Sequence, residues 1–194
     1  MKRLAFTVIT VLLLAFSSSA FASGQARIEG VSIDYSTNLK ASFVVNGAFS
    51  RGIEEAIASG MPTSFTFRVK LYHNKGFFWP DKHLGSWKFN HTVKYDLLKE
   101  EYEVTLEERN YTEKTKDPAR MRKLMVSGDQ IIISPLPALV PGRTYELMIK
   151  AELNTVDLPL FLDNVFFFVK LWDFKTGWKV YRFSCCPRSN QLTE

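Results

Sequence analysis

Three histidines, His73, His83 and His91, fall within nineteen residues of one another, and imidazole nitrogens at that density are donors a zinc ion uses. Three pairs of adjacent acids, Glu54-Glu55, Glu100-Glu101 and Glu107-Glu108, supply the residue type that general acid–base catalysis needs. Cys185 and Cys186 complete the reactive set. Each group has a plainer reading. Neighbouring acids on a strand or helix point to different sides, so they are read as solvated residues rather than as a converging pair. Adjacent cysteines that close on each other form a strained ring, and these lie in a polar stretch, SCCPRSNQLTE, with no neighbours to tune a thiol. An intermolecular disulfide is their alternative use. Nucleophilic catalysis needs a nucleophile, a base and a group that orients the base. The chain has no Gly-x-Ser-x-Gly elbow, phosphate-cradling glycine loop or calcium loop.

The elements that carry the histidines decide their reading. GSWKFNHTVKYD, residues 85–96, alternates, with Trp87, Phe89, His91, Val93 and Tyr95 on one parity and mostly polar residues on the other. TSFTFRVKLYH alternates in the same way through Phe65, Phe67, Val69 and Leu71. The two runs predict a hairpin connected by residues 74–84. Both dry faces are odd-numbered, so odd must meet odd. The expected register sets Leu71 opposite Trp87, Val69 opposite Phe89 and Phe67 opposite His91. His73 then lies about 20 Å along the neighbouring strand from the His91 level, too far to share a zinc ion. His91 is predicted to be a core residue between Phe67 and either Val104 or Leu106. A buried imidazole needs a hydrogen-bond partner, and Tyr95 and Tyr102 are the nearby candidates. No catalytic residue, metal or cofactor is expected.

The same period of two recurs in NLKASFVVN, YEVTL and TYELMIKAEL, and RIEGVSIDYS, DQIIIS, VFFFVKLW and WKVYRFS are further strand candidates. Two segments break it. SRGIEEAIASG has Ser50 as an N-cap, Ile53, Ala56 and Ile57 at helical spacing, and Gly60 as a stop. DPARMRKLMVSG has Asp117 as cap and Pro118 at the first helical position, with Met121, Leu124 and Met125 turned inward and Gly128 as the stop. About nine short strands and two short helices predict an all-β fold, an antiparallel β-sandwich of immunoglobulin-like outline, with a barrel as the alternative.

Residues 1–22 read as a secretory signal. Lys2 and Arg3 precede an apolar run from Leu4 to Phe16, and Ala20-Phe21-Ala22 offers a peptidase its small-x-small site. The apolar run is shorter than the roughly 20 residues needed to span a bilayer. Residues 23–184 are then expected to form one sandwich domain, with 185–194 as a polar tail. Removing Lys2 and Arg3 lowers the net charge from +5 to +3, too mild to point to a nucleic-acid partner.

Two surfaces invite a partner. Phe77, Phe78 and Trp79 crowd a hairpin connection where turn residues belong, and if exposed they make an apolar tip. The second predicted helix carries Arg120, Arg122 and Lys123, suited to an acidic protein or lipid surface. The competing readings are a loop folded back over the sandwich end and a solvated helix face.

The order of several elements resembles an exported bacterial family, the domain of unknown function 4390. IASGMPTSFTFRVKLY leads from helix to strand, Trp79 and Asp81 follow in a loop, and KYDLLKEEYEV supplies Lys94, Tyr95, Asp96, Leu98, Tyr102 and Val104. Leu153, Leu158-Pro159, Leu171-Trp172 and Trp178 continue the similarity, while the cysteine pair has no counterpart in it. The resemblance implies a Gram-negative source, a place in the periplasm and a neighbourhood with a membrane-bound sensor kinase. It implies no activity and no catalytic residue. The expectation is a periplasmic, non-enzymatic binding or interaction module whose partner is an envelope or inner-membrane protein. The alternatives are an envelope hydrolase or transferase with a site assembled from distant residues, and a carrier of an apolar ligand suggested by Phe166-Phe167-Phe168.

Overall fold

A computed structural model of the chain describes residues 26–35, 38–76, 80–135, 139–154 and 174–185. The elements are β1 (Arg27–Asp34), β2 (Asn38–Asn46), α1 (Arg51–Ala58), β3 (Thr63–His73), β4 (Lys82–Asp96), β5 (Glu101–Leu106), a 3₁₀ turn (Glu107–Arg109), β6 (Tyr111–Thr115), α2 (Pro118–Val126), β7 (Ser127–Pro135), β8 (Thr144–Asn154) and β9 (Lys179–Ser184).

The strands form two sheets, β1-β2-β7 and β6-β5-β4-β3-β8-β9, with every neighbouring pair antiparallel. The odd-numbered side chains of β2, β3 and β8 fill the space between the sheets: Leu39, Ala41, Phe43 and Val45 meet Phe65, Phe67, Val69, Leu71, Leu147, Ile149 and Ala151, all essentially sealed from solvent. This is a sandwich and not a closed barrel, because β1, β7, β6 and β9 each end a sheet. The aromatic rings lock together at the centre, with Phe67 5.5 Å from Phe43 and 5.2 Å from Phe89 between centroids, the spacing at which tilted and offset rings attract.

Both helices begin as their caps dictate. The Ser50 hydroxyl accepts from the Ile53 amide, and the Asp117 carboxylate from the Ala119 amide, with Pro118 at the first turn. α1 ends through Gly60, whose φ of +83° lets the Gly60 and Met61 amides reach back to Ile57 and Ala56. α2 does not run to Gly128. It ends at Val126, and Ser127 is already extended, so the chain turns straight into β7. Gly128 instead makes room for a neighbouring ring, since a Cβ there would lie 2.5 Å from Phe43.

The β3–β4 register differs from expectation by one residue pair. Phe65, not Phe67, stands opposite His91, with Phe67 facing Phe89, Val69 facing Trp87 and Leu71 facing Gly85. Parity is set by the dry face, but parity tolerates a shift of two. The connection chooses between the options: β4 starts at Lys82 and a bulge at Leu71/Tyr72 takes up the extra residue. β6, a short edge strand on β5, gives no sign of itself in the sequence because YTEKT has no dry face to declare it. Leu124 is half-buried rather than sealed. The VFFFVKLW strand candidate lies outside the described residues, as do the signal segment, Cys186 and Phe166–Phe168.

Candidate functional site

β4 delivers His91 to the interior, where none of it is exposed. Phe65 and Leu106 flank it across the sheet, and its ring lies 4.7 Å from that of Phe67 and 5.7 Å from that of Phe89. Its polar partners are not the tyrosines, which pack on each other 4.7 Å apart. Nδ1 is 3.0 Å from the Leu124 carbonyl and 3.3 Å from that of Met125, and Nε2 is 3.1 Å from Oε2 of Glu108. Carbonyl oxygens only accept, so Nδ1 must carry a hydrogen.

The two carbonyls belong to the last turn of α2, where no later helical amide is available to meet them. A donor reaching in from a neighbouring strand satisfies that end, and positive charge there is favoured by the helix dipole. That accounts for a polar residue on the apolar parity of β4: any hydrocarbon at position 91 would leave carbonyls and a carboxylate facing it unpaired.

Glu108 comes from the 3₁₀ turn, whose third residue hands the chain to Asn110 in the left-handed region at φ +47°. Glu107 points the other way, accepting from the backbone and side-chain amides of Asn90 at 2.8 Å each. The adjacent acids thus separate, but Glu108 is not the solvated residue expected from sequence; its side chain is 9% exposed. Burial favours its neutral form, yet the hydrogen bond and charge of His91, with Arg109 behind them, hold its carboxyl below the usual carboxylate range. Arg109 lies 3.7 Å from the other Glu108 oxygen and binds both the backbone and the carboxylate of Asp129 in β7. A polar chain therefore runs His91–Glu108–Arg109–Asp129 from the core to the three-stranded sheet. A His–carboxylate pair is the pairing acid–base catalysis employs, but this ring has no atom a substrate can touch.

Arg109 and Asp129 also line a surface groove of about 410 Å³ with Arg120, Lys123, Ser42 and Gly128. Arg120 grips Glu113 with two bonds of 2.7 and 2.8 Å, and Arg122 lies 3.4 Å from Glu54. Lys123, exposed on the same helix, meets no carboxylate among the described residues. Arg120 and Lys123 therefore share the groove, whereas Arg122 turns to α1, and of the three Lys123 is the one that meets no carboxylate among the described residues.

Phe77, Phe78 and Trp79 lie outside the described residues. A second groove, of about 740 Å³, is lined by Asn74, Lys75, Asp81, Arg143, Glu146 and Arg182 among others. His73 packs on Tyr145 and His83 on Tyr72. With Phe65 opposite His91, His73 is eight residues along β3, about 26 Å away. Among the described residues no group of three or more His, Cys, Asp or Glu is placed to hold a metal, and no helix is long and apolar enough to cross a membrane. Cys185 is buried, its backbone bonded to Gly142 and Arg143, rather than loose in a tail. Sequence reasoning missed Glu108, Arg109 and Asp129. One signal was present: Leu106 opposite His91 places the following turn at the imidazole, and Glu108 is in it.

No curated protein and no solved structure matches the chain. One family model does, described as a domain of unknown function (DUF4390), over residues 24–182. That span takes in every strand and helix above up to Arg182, so the chain belongs to the DUF4390 family.

Proposed function

We propose that the protein is an exported, non-enzymatic interaction module of the periplasm that receives an acidic segment of an inner-membrane partner, such as a sensor kinase, on α2 and the groove beside it. The observation that supports binding over catalysis is the burial of His91: the one histidine–carboxylate pair among the described residues is sealed in the core and occupied in holding α2. The groove supplies the binding chemistry, with Lys123 unmatched and Arg109 and Arg120 along its walls. Arginine and lysine at a groove rim steer acidic partners and set orientation more than they set affinity. Export rests on the leader-like residues 1–22.

The test is photocrosslinking in intact cells, with a photoreactive residue in place of Ala119, exposed on α2 one turn before Lys123, and, separately, of Lys88 on the solvent face of the six-stranded sheet. The reading requires one inner-membrane protein crosslinked from position 119 and absent from position 88. No adduct from position 119, or the same adducts from both, overturns it.

A further inference from the structure

We infer that His91 and Glu108 hold one proton between them inside the core, and that this proton is what fastens α2 to the sheet. Donors and acceptors must match in a closed site, and here the match requires an extra hydrogen. Nδ1 faces only the Leu124 and Met125 carbonyls, so its hydrogen is committed to them. Nε2 faces a carboxylate oxygen at 3.1 Å. With Nδ1 protonated, a bare Nε2 would set its lone pair against that of a carboxylate, on a ring that has no exposed surface of its own. A second hydrogen must lie on that line, either as imidazolium donating to carboxylate or as carboxylic acid donating to imidazole. The depressed Glu108 carboxyl and the negative end of α2 both favour the imidazolium.

Among the described residues no other ionised group competes for the ring. β3 and β4 present the Phe67 and Phe89 rings, β5 presents Leu106, and α2 presents backbone carbonyls. The 3₁₀ turn brings Glu108, with Arg109 beside it, and β7 brings Asp129 onto Arg109. On α2 itself, Arg122 is turned to Glu54 and Arg120 to Glu113. When α2 lifts away, the Leu124 and Met125 carbonyls leave Nδ1, and the closed match of donors to acceptors around the ring is lost. The closed arrangement needs the shared proton and the open one does not, so α2 opens more readily as pH rises, by at most about tenfold per pH unit. The helix so released is the one carrying Arg120, Arg122 and Lys123, and its presentation is thereby linked to ambient pH. This linkage holds whether or not α2 is the docking surface proposed above.

Glu108→Gln separates this from any general alkaline weakening. The glutamine amide donates to Nε2 of a neutral imidazole while Nδ1 still serves the carbonyls, so every hydrogen bond survives with no extra proton. Amide hydrogen exchange on the full chain, corrected for intrinsic rates, reads the result. In the wild type the protection of Leu124, Met125 and Val126 should fall as pH rises, by at most about tenfold per unit, with Ile57 of α1 unchanged; in Glu108→Gln it should stay level. A level wild-type profile, an equal fall at Ile57, or a fall that persists in the variant overturns the inference. So does a ring ¹⁵N spectrum showing a bare nitrogen on His91 together with a Glu108 carboxylate at neutral pH, whereas two protonated ring nitrogens support it.

Discussion

At the scale of the residue, His91 is a core side chain chosen for its hydrogens. It fills a slot between aromatic rings as phenylalanine would, and it also answers three acceptors that phenylalanine cannot. His91→Phe keeps an aromatic ring in the slot, though a larger one, and loses the donors, leaving Glu108 buried without its hydrogen-bond partner. The expected loss is about 3 kcal/mol in urea unfolding, the size seen when one partner of a buried pair is removed. His91→Phe combined with Glu108→Leu should recover part of it, since an apolar pair leaves fewer unmet groups; a single variant within about 1 kcal/mol of wild type would show the bonds contribute little.

At the scale of the element, α2 is held by contacts at both ends and passes directly into β7. Its start was legible, because Asp117 and Pro118 are strong local signals. Its end was not, because the capping group is a side chain on β4, thirty-three positions away in sequence from Leu124. Gly128 resembled a helix stop but is a steric requirement of the sheet. Gly128→Ala should cost about 1–3 kcal/mol by driving a methyl group into Phe43, read as a lower unfolding midpoint with an unchanged denaturant slope. The β3–β4 register shows the same division. Alternation decided which residues face inward, whereas the bulge and the connection decided which pair meet.

At the scale of the whole molecule, four glutamates among the described residues are held below their ordinary range. Burial opposes the shift of Glu108 and His91 outweighs it; Arg120 lowers Glu113, Arg182 lowers Glu146, and Lys150 with Arg68 lowers Glu152. A carboxyl with a depressed folded-state pKa contributes stability that is fully present above its unfolded value, near about 4.3. That stability is lost as pH falls through the folded values. Thermal unfolding followed downward from about pH 6 should therefore show a steady midpoint to about pH 5 and then a decline, shallower in Glu108→Gln. A decline equally steep in that variant would remove Glu108 from the set.

Periodicity and local chemistry by themselves determined much of this protein: inward parity, eight of the described strands, two capped helices and a sandwich. Those follow from the sequence because a strand's faces and a helix's first turn are settled by neighbours a few residues apart. Only the tertiary structure decided the register of β4, the burial of Glu108 and the partners of His91. Such contacts join β4, a 3₁₀ turn and a helix end, and the match of donor to acceptor across them exists only once the chain has closed.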